Sequence, residues 1–94
     1  MRSKDLLQKI AERLEFGNEA LPGTPVVEIM GSDRVLIENH RGVQQFSTER
    51  ITVCMRYGLL CVCGNCMELK QMSESKLVIY GQIEQVLLLK GATP

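Results

Sequence analysis

From Pro25 onward the chain is a series of short apolar or alternating runs, and this pattern restricts the fold more than any other feature. A new run starts about every eight residues, and turn-forming residues separate consecutive runs. Such short connections leave no space for the crossovers of a parallel sheet. The sequence therefore predicts an all-β fold, an antiparallel β-meander of about seven to eight short strands in a small roll, barrel or sandwich. The predicted strands are Val26–Met30, Arg34–Glu38, Val43–Ser47, Ile51–Arg56, Leu59–Cys63, Cys66–Met72, Lys76–Tyr80 and Ile83–Leu89.

Residues 1–20 show a different period and are predicted to form an amphipathic helix and its linker. The apolar side chains recur at helical spacing on one face, at Leu6, Leu7, Ile10, Ala11 and Leu14. Pro22 and Pro25 prevent the helix from continuing. We expect a β-domain at residues 21–90, a frayed C-terminal tail at 91–94, and the helix docked on the domain. The alternative is a peripheral membrane adaptor, which the mixed charge of the polar helix face disfavours.

The size and charge of the chain limit its function. Ninety-four residues form one domain with a single modest core. Eleven basic and eleven acidic residues cancel, which argues against a nucleic-acid-binding protein and favours protein partners and a homo-oligomer. The sequence has no run of about 18 apolar residues, so no transmembrane segment is predicted. The first residues lack the apolar centre of a signal peptide, and we expect a cytoplasmic protein.

Four cysteines raise the alternative of a small zinc-binding module. Cys61, Cys63 and Cys66 are close in sequence, and Cys54 or His40 would supply a fourth ligand. The spacing is not that of paired Cys-x-x-Cys knuckles, because Cys61 and Cys63 alternate along one strand. Cysteine also packs as a small apolar side chain. We therefore predict reduced thiols that pack, with no metal and no cofactor.

Polar chemistry is concentrated at Glu38, Asn39, His40 and Arg41, directly before Gly42. His40 is the only histidine, so any histidine base or metal ligand must be this residue. No nucleophile motif such as Gly-x-Ser-x-Gly accompanies it, and we predict no catalytic residue. We expect a hairpin loop with unusual backbone angles at Asn39 and Gly42, in which Glu38 and Arg41 hold local groups or each other. The alternative is a partner-binding surface formed by the first four residues.

The last predicted strand is apolar on both faces at Val86–Leu89. It is therefore central in the sheet, covered by the N-terminal helix, or a sticky edge used in assembly. A weak repeat with a spacing of seventeen residues also reaches this strand. It reflects either ordinary hairpins or bends at two glycines. The repeated residues are Leu60, Val62, Gly64 and Leu69, which recur as Leu77, Ile79, Gly81 and Val86.

The polar loop and several later runs resemble the YqfC branch of the YabP/YqfC sporulation family. The likeness extends from about Leu21 to Val86, and its most specific part is Ile37–Gly42, the run Ile-Glu-Asn-His-Arg-Gly. The cysteines depart from the family, whose strand at Cys61 and Cys63 ordinarily carries aliphatic or charged residues. The other matching runs are Glu49–Val53, Gly58–Gly64, Leu69 with Met72, and Leu77–Ile83.

This resemblance implies a small protein of the mother cell of an endospore-forming bacterium that acts in spore formation. Members of the family have no established catalytic activity, and they are often encoded beside sporulation membrane proteins. The resemblance therefore implies a non-enzymatic structural, assembly or scaffolding protein of spore envelope formation, with a sporulation membrane protein as a partner. The expected location is the mother-cell cytoplasm or the periphery of the forespore membrane.

Overall fold

A computed structural model describes residues 23–92, which form six β-strands. The helix predicted within residues 1–20 lies outside the described part of the chain. Within residues 23–92, no helix is long and apolar enough to cross a membrane. The strands are β1 Val26–Met30, β2 Arg34–Glu38, β3 Val43–Phe46, β4 Arg50–Met55, β5 Gly58–Gln71 and β6 Lys76–Lys90.

All six strands belong to one open antiparallel sheet with the order β1-β2-β6-β5-β4-β3. Within residues 23–92, the all-β, antiparallel prediction is confirmed. The meander, however, covers only β3 to β6, because the β1–β2 hairpin pairs with the other side of β6. Residues 39–42 therefore connect strands on opposite sides of the β5–β6 pair and are not a hairpin loop. In the described part of the chain, β1 and β3 are free edge strands, so the sheet is not a closed barrel.

The prediction of seven to eight strands is wrong because two predicted turns lie inside longer strands. The sequence has turn signals at Gly64 and Gly81, but the chain continues through both without reversing direction, which is the alternative of bends at the two glycines. A glycine can mark a bend within a strand as well as its end, and the sequence pattern is the same in both cases. The merged runs are Leu59–Cys63 with Cys66–Met72 in β5, and Lys76–Tyr80 with Ile83–Leu89 in β6.

The β5–β6 pair bends at these glycines, where its register shifts twice. Each shift adds one unpaired residue to one strand, which is the geometry of a β-bulge. A Cβ at Gly64 would collide with the backbone carbonyl oxygen of Gln82, and a Cβ at Gly81 would lie 2.8 Å from the Met67 Cα. Glycine is therefore needed at both positions, because any side chain would push the two backbones apart.

The sheet has an approximate internal twofold symmetry about the β5–β6 pair. Gly64 donates its N–H to the Glu49 carbonyl at 3.0 Å, and Gly81 donates its N–H to the Asp33 carbonyl at 3.1 Å. Both acceptors directly precede the neighbouring strand, β4 in the first case and β2 in the second. The repeat of seventeen residues therefore corresponds to two equivalent halves of the sheet.

The core lies on one face of this bent sheet. β2 and β4 are separated by two strands, which places them about 14 Å apart in a flat sheet. Ile37 in β2 and Val53 in β4 nevertheless belong to the same buried cluster. The core is therefore continuous across both halves of the sheet. The buried cluster consists of Val35, Ile37, Ile51, Val53, Met55, Leu60, Val62, Met67, Leu77 and Ile79.

Candidate functional site

The crossover loop, residues 39–42, is fixed at its start to the turn between β5 and β6. Asn39 and His40 donate their backbone N–H groups to the Ser75 carbonyl at 2.7 and 3.3 Å. Asn39 has a φ of 62°, a left-handed conformation that asparagine adopts more readily than most residues. Its Nδ2 also donates to the Thr24 carbonyl at 2.6 Å. Asn39 therefore shapes the loop and holds the segment that enters β1.

The end of the crossover loop is fixed to β4. Arg41 donates its backbone N–H to the Cys54 carbonyl at 2.7 Å, and Cys54 donates its N–H to the Gly42 carbonyl at 2.8 Å. Gly42 has a φ of 122°, in the region that favours glycine. The unusual backbone angles predicted for Asn39 and Gly42 are thus present, although they serve a crossing between the two halves of the sheet.

His40 uses its ring to hold the crossover loop. Its Nδ1 accepts the backbone N–H of Gly42 at 2.9 Å. The neutral imidazole therefore carries its proton on Nε2, which lies 3.3 Å from Nε2 of Gln71. Both of these nitrogens carry hydrogens, so they do not form a hydrogen bond with each other. Desolvation lowers the pKa of His40, which favours the neutral ring that the bond from Gly42 requires.

Lowering the pH is expected to destabilise the fold through His40. Its folded-state pKa lies below the unfolded value of about 6.5, so the unfolded chain binds more protons as the pH falls through this value. The stability from the Nδ1 bond is therefore present above about pH 6.5 and decreases below it. Urea midpoints at about pH 7.5 and about pH 5.5 should differ more for the wild type than for His40→Asn. The asparagine oxygen can accept a bond without titrating, so equal differences would contradict this assignment.

Glu38 and Arg41 do not pair with each other. Lys76 Nζ lies 3.3 Å from Glu38 Oε1, and such a partly exposed ion pair contributes about 0–1 kcal/mol. Arg41 is exposed and forms no ion pair within the described residues. Of the four polar side chains predicted as a partner surface, Arg41 is therefore the one that the loop does not use for its own structure.

Arg41 lines two neighbouring clefts. The first has a volume of about 550 Å³, lies between the β4–β5 turn and the end of β6, and also contains the exposed Arg56 and the half-buried Tyr57. The second has a volume of about 380 Å³, lies against the β5–β6 turn and contains Glu74. Tyr57 packs against the core, and burial raises the pKa of its phenol. The first cleft is therefore lined by two arginines and by apolar residues.

The cysteines are dispersed among different environments. Cys61 is buried and Cys63 is half-buried, with their sulfurs 3.7 Å apart. Desolvation, followed by the hydrogen bond and charge of the Cys61 thiol, raises the pKa of Cys63. Cys66 is exposed at a bulge, with a φ of 51°. Among residues 23–92, no group of three or more His, Cys, Asp or Glu side chains is placed to hold a metal ion.

The second half of β6, residues 83–90, is here called the β6 edge. It pairs with β5 on one side, and among the described residues its other side has a backbone hydrogen bond only at Ile83, which donates its N–H to the Ser32 carbonyl at 2.9 Å. β6 is central in the strand order, but β2 pairs only with its first half. Of the placements left open for Val86–Leu89, the described residues therefore show an edge and not a central one. Gly91 donates its N–H to the Tyr57 carbonyl on the β5 side. The register with β5 has no shift over Gln85–Lys90, and the backbone N–H and C=O groups of successive strand residues point to opposite sides. Val86, Leu88 and Lys90 therefore direct their backbone N–H and C=O groups to the open side.

The sequence did not single out Arg56. It follows β4 and precedes the Tyr57-Gly58 turn, which is a recognisable place for an exposed charge. Its proximity to Arg41 has no signal in the sequence, because the two residues are brought together by the hydrogen bonds between the crossover loop and Cys54.

The fold and these surfaces define a small all-β protein with an apolar strand edge and an arginine-lined cleft. His40, its single histidine, serves as a hydrogen-bond acceptor within its own loop. The sequence matches the YabP family over residues 23–93, and the chain belongs to that family. This membership fits a protein related to sporulation, and the family is not a known enzyme family. Neither a curated protein nor a solved structure matches the chain.

Proposed function

We propose that this protein is a non-enzymatic assembly or scaffolding protein of sporulation, of the YqfC branch of its family. It works in the mother cell, in the cytoplasm or at the periphery of the forespore membrane, and contributes to formation of the spore envelope. Membership in the YabP family supports the link to sporulation. The Ile37–Gly42 run supports the YqfC branch, because it is the most specific part of the resemblance.

The observation that carries an assembly function is the β6 edge. Three consecutive leucines in it are exposed, and its outward backbone groups have no strand partner in the described part of the chain. An apolar edge with free backbone donors and acceptors pairs readily with a strand of another chain. A second copy of this protein offers an edge of the same kind, and antiparallel pairing of two such edges gives a closed twofold dimer.

The equivalent edge in the other half of the sheet is different in character. The second half of β5 also pairs on one side only, but it carries Glu68 and Lys70, which are exposed. Charged side chains on an edge strand protect it from pairing with other chains. The β6 edge carries its own charges, Glu84 and Lys90, only near its two ends, so its central part, Val86–Leu89, lacks this protection. This contrast supports a binding role for the β6 edge.

Leu88→Lys is expected to abolish self-association without unfolding the chain. Leu88 is 55% exposed, so its replacement should change stability by at most about 0.5 kcal/mol. A lysine at the centre of the paired edge would bring like charges together across the twofold axis. Multi-angle light scattering should give a multiple of 10.6 kDa for the wild type and 10.6 kDa for the variant.

The matched control is Ile29→Lys, because Ile29 is also 55% exposed and lies on the edge strand β1. It should retain the wild-type mass. A monomeric wild type at millimolar concentration, or equal loss of mass in both variants, would contradict assembly through the β6 edge. In the sporulating host, a strain that carries only Leu88→Lys should yield fewer heat-resistant spores than one that carries Ile29→Lys.

The crossover loop is the second surface of this function. Glu38, Asn39 and His40 maintain its shape, and Arg41 faces the partner, for which a sporulation membrane protein is the expected class. Pull-down from sporulating cells should recover this partner with the wild type and lose it with Arg41→Ala, while the Leu88→Lys variant tests assembly separately.

A further inference from the structure

The crossover loop leaves one of its charged side chains available. Glu38 is paired with Lys76, Asn39 bonds to the Thr24 carbonyl, and His40 accepts the N–H of Gly42. These contacts fix the loop, whereas the Arg41 guanidinium is exposed and has no acidic partner within residues 23–92. The loop therefore presents an arginine from a backbone that is held at both ends.

A second unpaired arginine lies in the same cleft. Arg56 is exposed and forms no ion pair in the described residues, and it lines the 550 Å³ cleft together with Arg41. Among the described residues that line the cleft there is no aspartate or glutamate, so these residues carry a formal charge of +2. Met55, Tyr57 and Ala92 form its apolar part. Two guanidinium groups beside apolar side chains match a ligand that has carboxylates next to apolar atoms.

We propose that the cleft between Arg41 and Arg56 binds a short acidic segment of a partner protein. This inference rests on the proposed assembly function and names the chemistry of its partner. The volume of the cleft is that of a small-ligand pocket and suits a few side chains. An extended polyanion such as nucleic acid fits poorly, because the adjoining cleft contains Glu74 and the chain has no net charge.

The recognition depends on the planar guanidinium groups. An arginine can bind a carboxylate through two parallel hydrogen bonds, whereas lysine offers a single point charge. A charge-assisted bond of this kind contributes to the binding free energy. Removal of either arginine should therefore weaken binding about tenfold or more. Because the cleft is open to solvent, the affinity should also fall as salt shortens the screening length from about 8 Å at physiological ionic strength.

The test uses the full chain and a fluorescein-labelled hexaglutamate peptide, with fluorescence anisotropy as the readout. The wild type should bind hexaglutamate and not hexaglutamine. Arg41→Gln and Arg56→Gln should each weaken binding about tenfold or more, and Arg41→Lys should restore only part of it. The matched control is Arg34→Gln, since Arg34 is exposed, lies in β2 outside the cleft and contacts Asp33 at 3.8 Å. This control should bind like the wild type.

Absence of wild-type binding to hexaglutamate would overturn the proposal, and so would any of three further results. The first is that Arg41→Gln and Arg56→Gln leave peptide binding unchanged. The second is that Arg34→Gln weakens binding as much as they do. The third is that tripolyphosphate displaces the peptide at lower concentration than free hexaglutamate does. The last result would assign the cleft to phosphate groups. Because Leu88→Lys should bind hexaglutamate normally and only lose self-association, failure of peptide binding is distinguishable from failure of the assembly function. Thermal unfolding of each arginine variant verifies that it remains folded.

Discussion

Gly64→Ala is expected to destabilise the protein by about 3 kcal/mol or more, at the upper end of the cost of overpacking. The added Cβ would collide with the Gln82 carbonyl oxygen and come within 3.2 Å of the Ile83 Cα. Both are backbone atoms of the paired strand, so no side-chain rotation can relieve the contact. The strands would have to separate at the bulge, which would break the β5–β6 pairing there. For a chain of this size, the melting temperature should fall by more than about 10 °C.

The control for this prediction is Gly91→Ala. Gly91 has a φ of 76°, and an added Cβ there would meet no atom within 4 Å. Its cost comes from the left-handed backbone alone and should be about 1–2 kcal/mol. Thermal and urea unfolding of the two variants compare the loss of stability caused by a steric clash with the loss caused by a left-handed backbone conformation. If Gly64→Ala were no less stable than Gly91→Ala, the strands would not need their close approach at the bulge.

Ile79→Ala is expected to cost about 2–5 kcal/mol, the range for removing a buried aliphatic side chain. Ile79 is fully buried in the core cluster and pairs with Val35 across β2 and β6. Since the total stability of a small domain is about 5–15 kcal/mol, the loss is a large fraction of it. The effect should appear as a lower urea midpoint with an unchanged denaturant slope.

Ile29→Ala is the matched control for Ile79→Ala. Ile29 pairs with the same Val35 from the opposite side, in β1, but it is 55% exposed. The same atoms are removed from the same row of the sheet, so the two variants differ chiefly in burial. Ile29→Ala should cost less than about 1 kcal/mol. Equal losses would show that the core extends across β1 to the edge of the sheet.

The polar loop illustrates what a local pattern can and cannot predict. The glycine after a run of polar residues, and the asparagine within it, were sufficient to predict left-handed backbone at Asn39 and Gly42, because only a few residues tolerate those angles. The partners of the loop were not predictable. Ser75 and Cys54 are distant in sequence from it and are brought near by the order of the strands. Arg41 lacks an ion pair with the neighbouring Glu38 for the same reason, the order of the strands.

The sequence by itself determined that the described chain is antiparallel β-structure and where most of its strand residues lie. Alternating apolar residues and turn signals are local patterns of a few positions, so they can be recognised in the sequence without knowledge of the fold. Only the tertiary structure decided that Gly64 and Gly81 bend two long strands, that the β1–β2 hairpin lies beside β6, and that Arg56 shares a cleft with Arg41. Each of these depends on contacts between residues far apart in the chain, and a local pattern does not record which distant backbone lies against it.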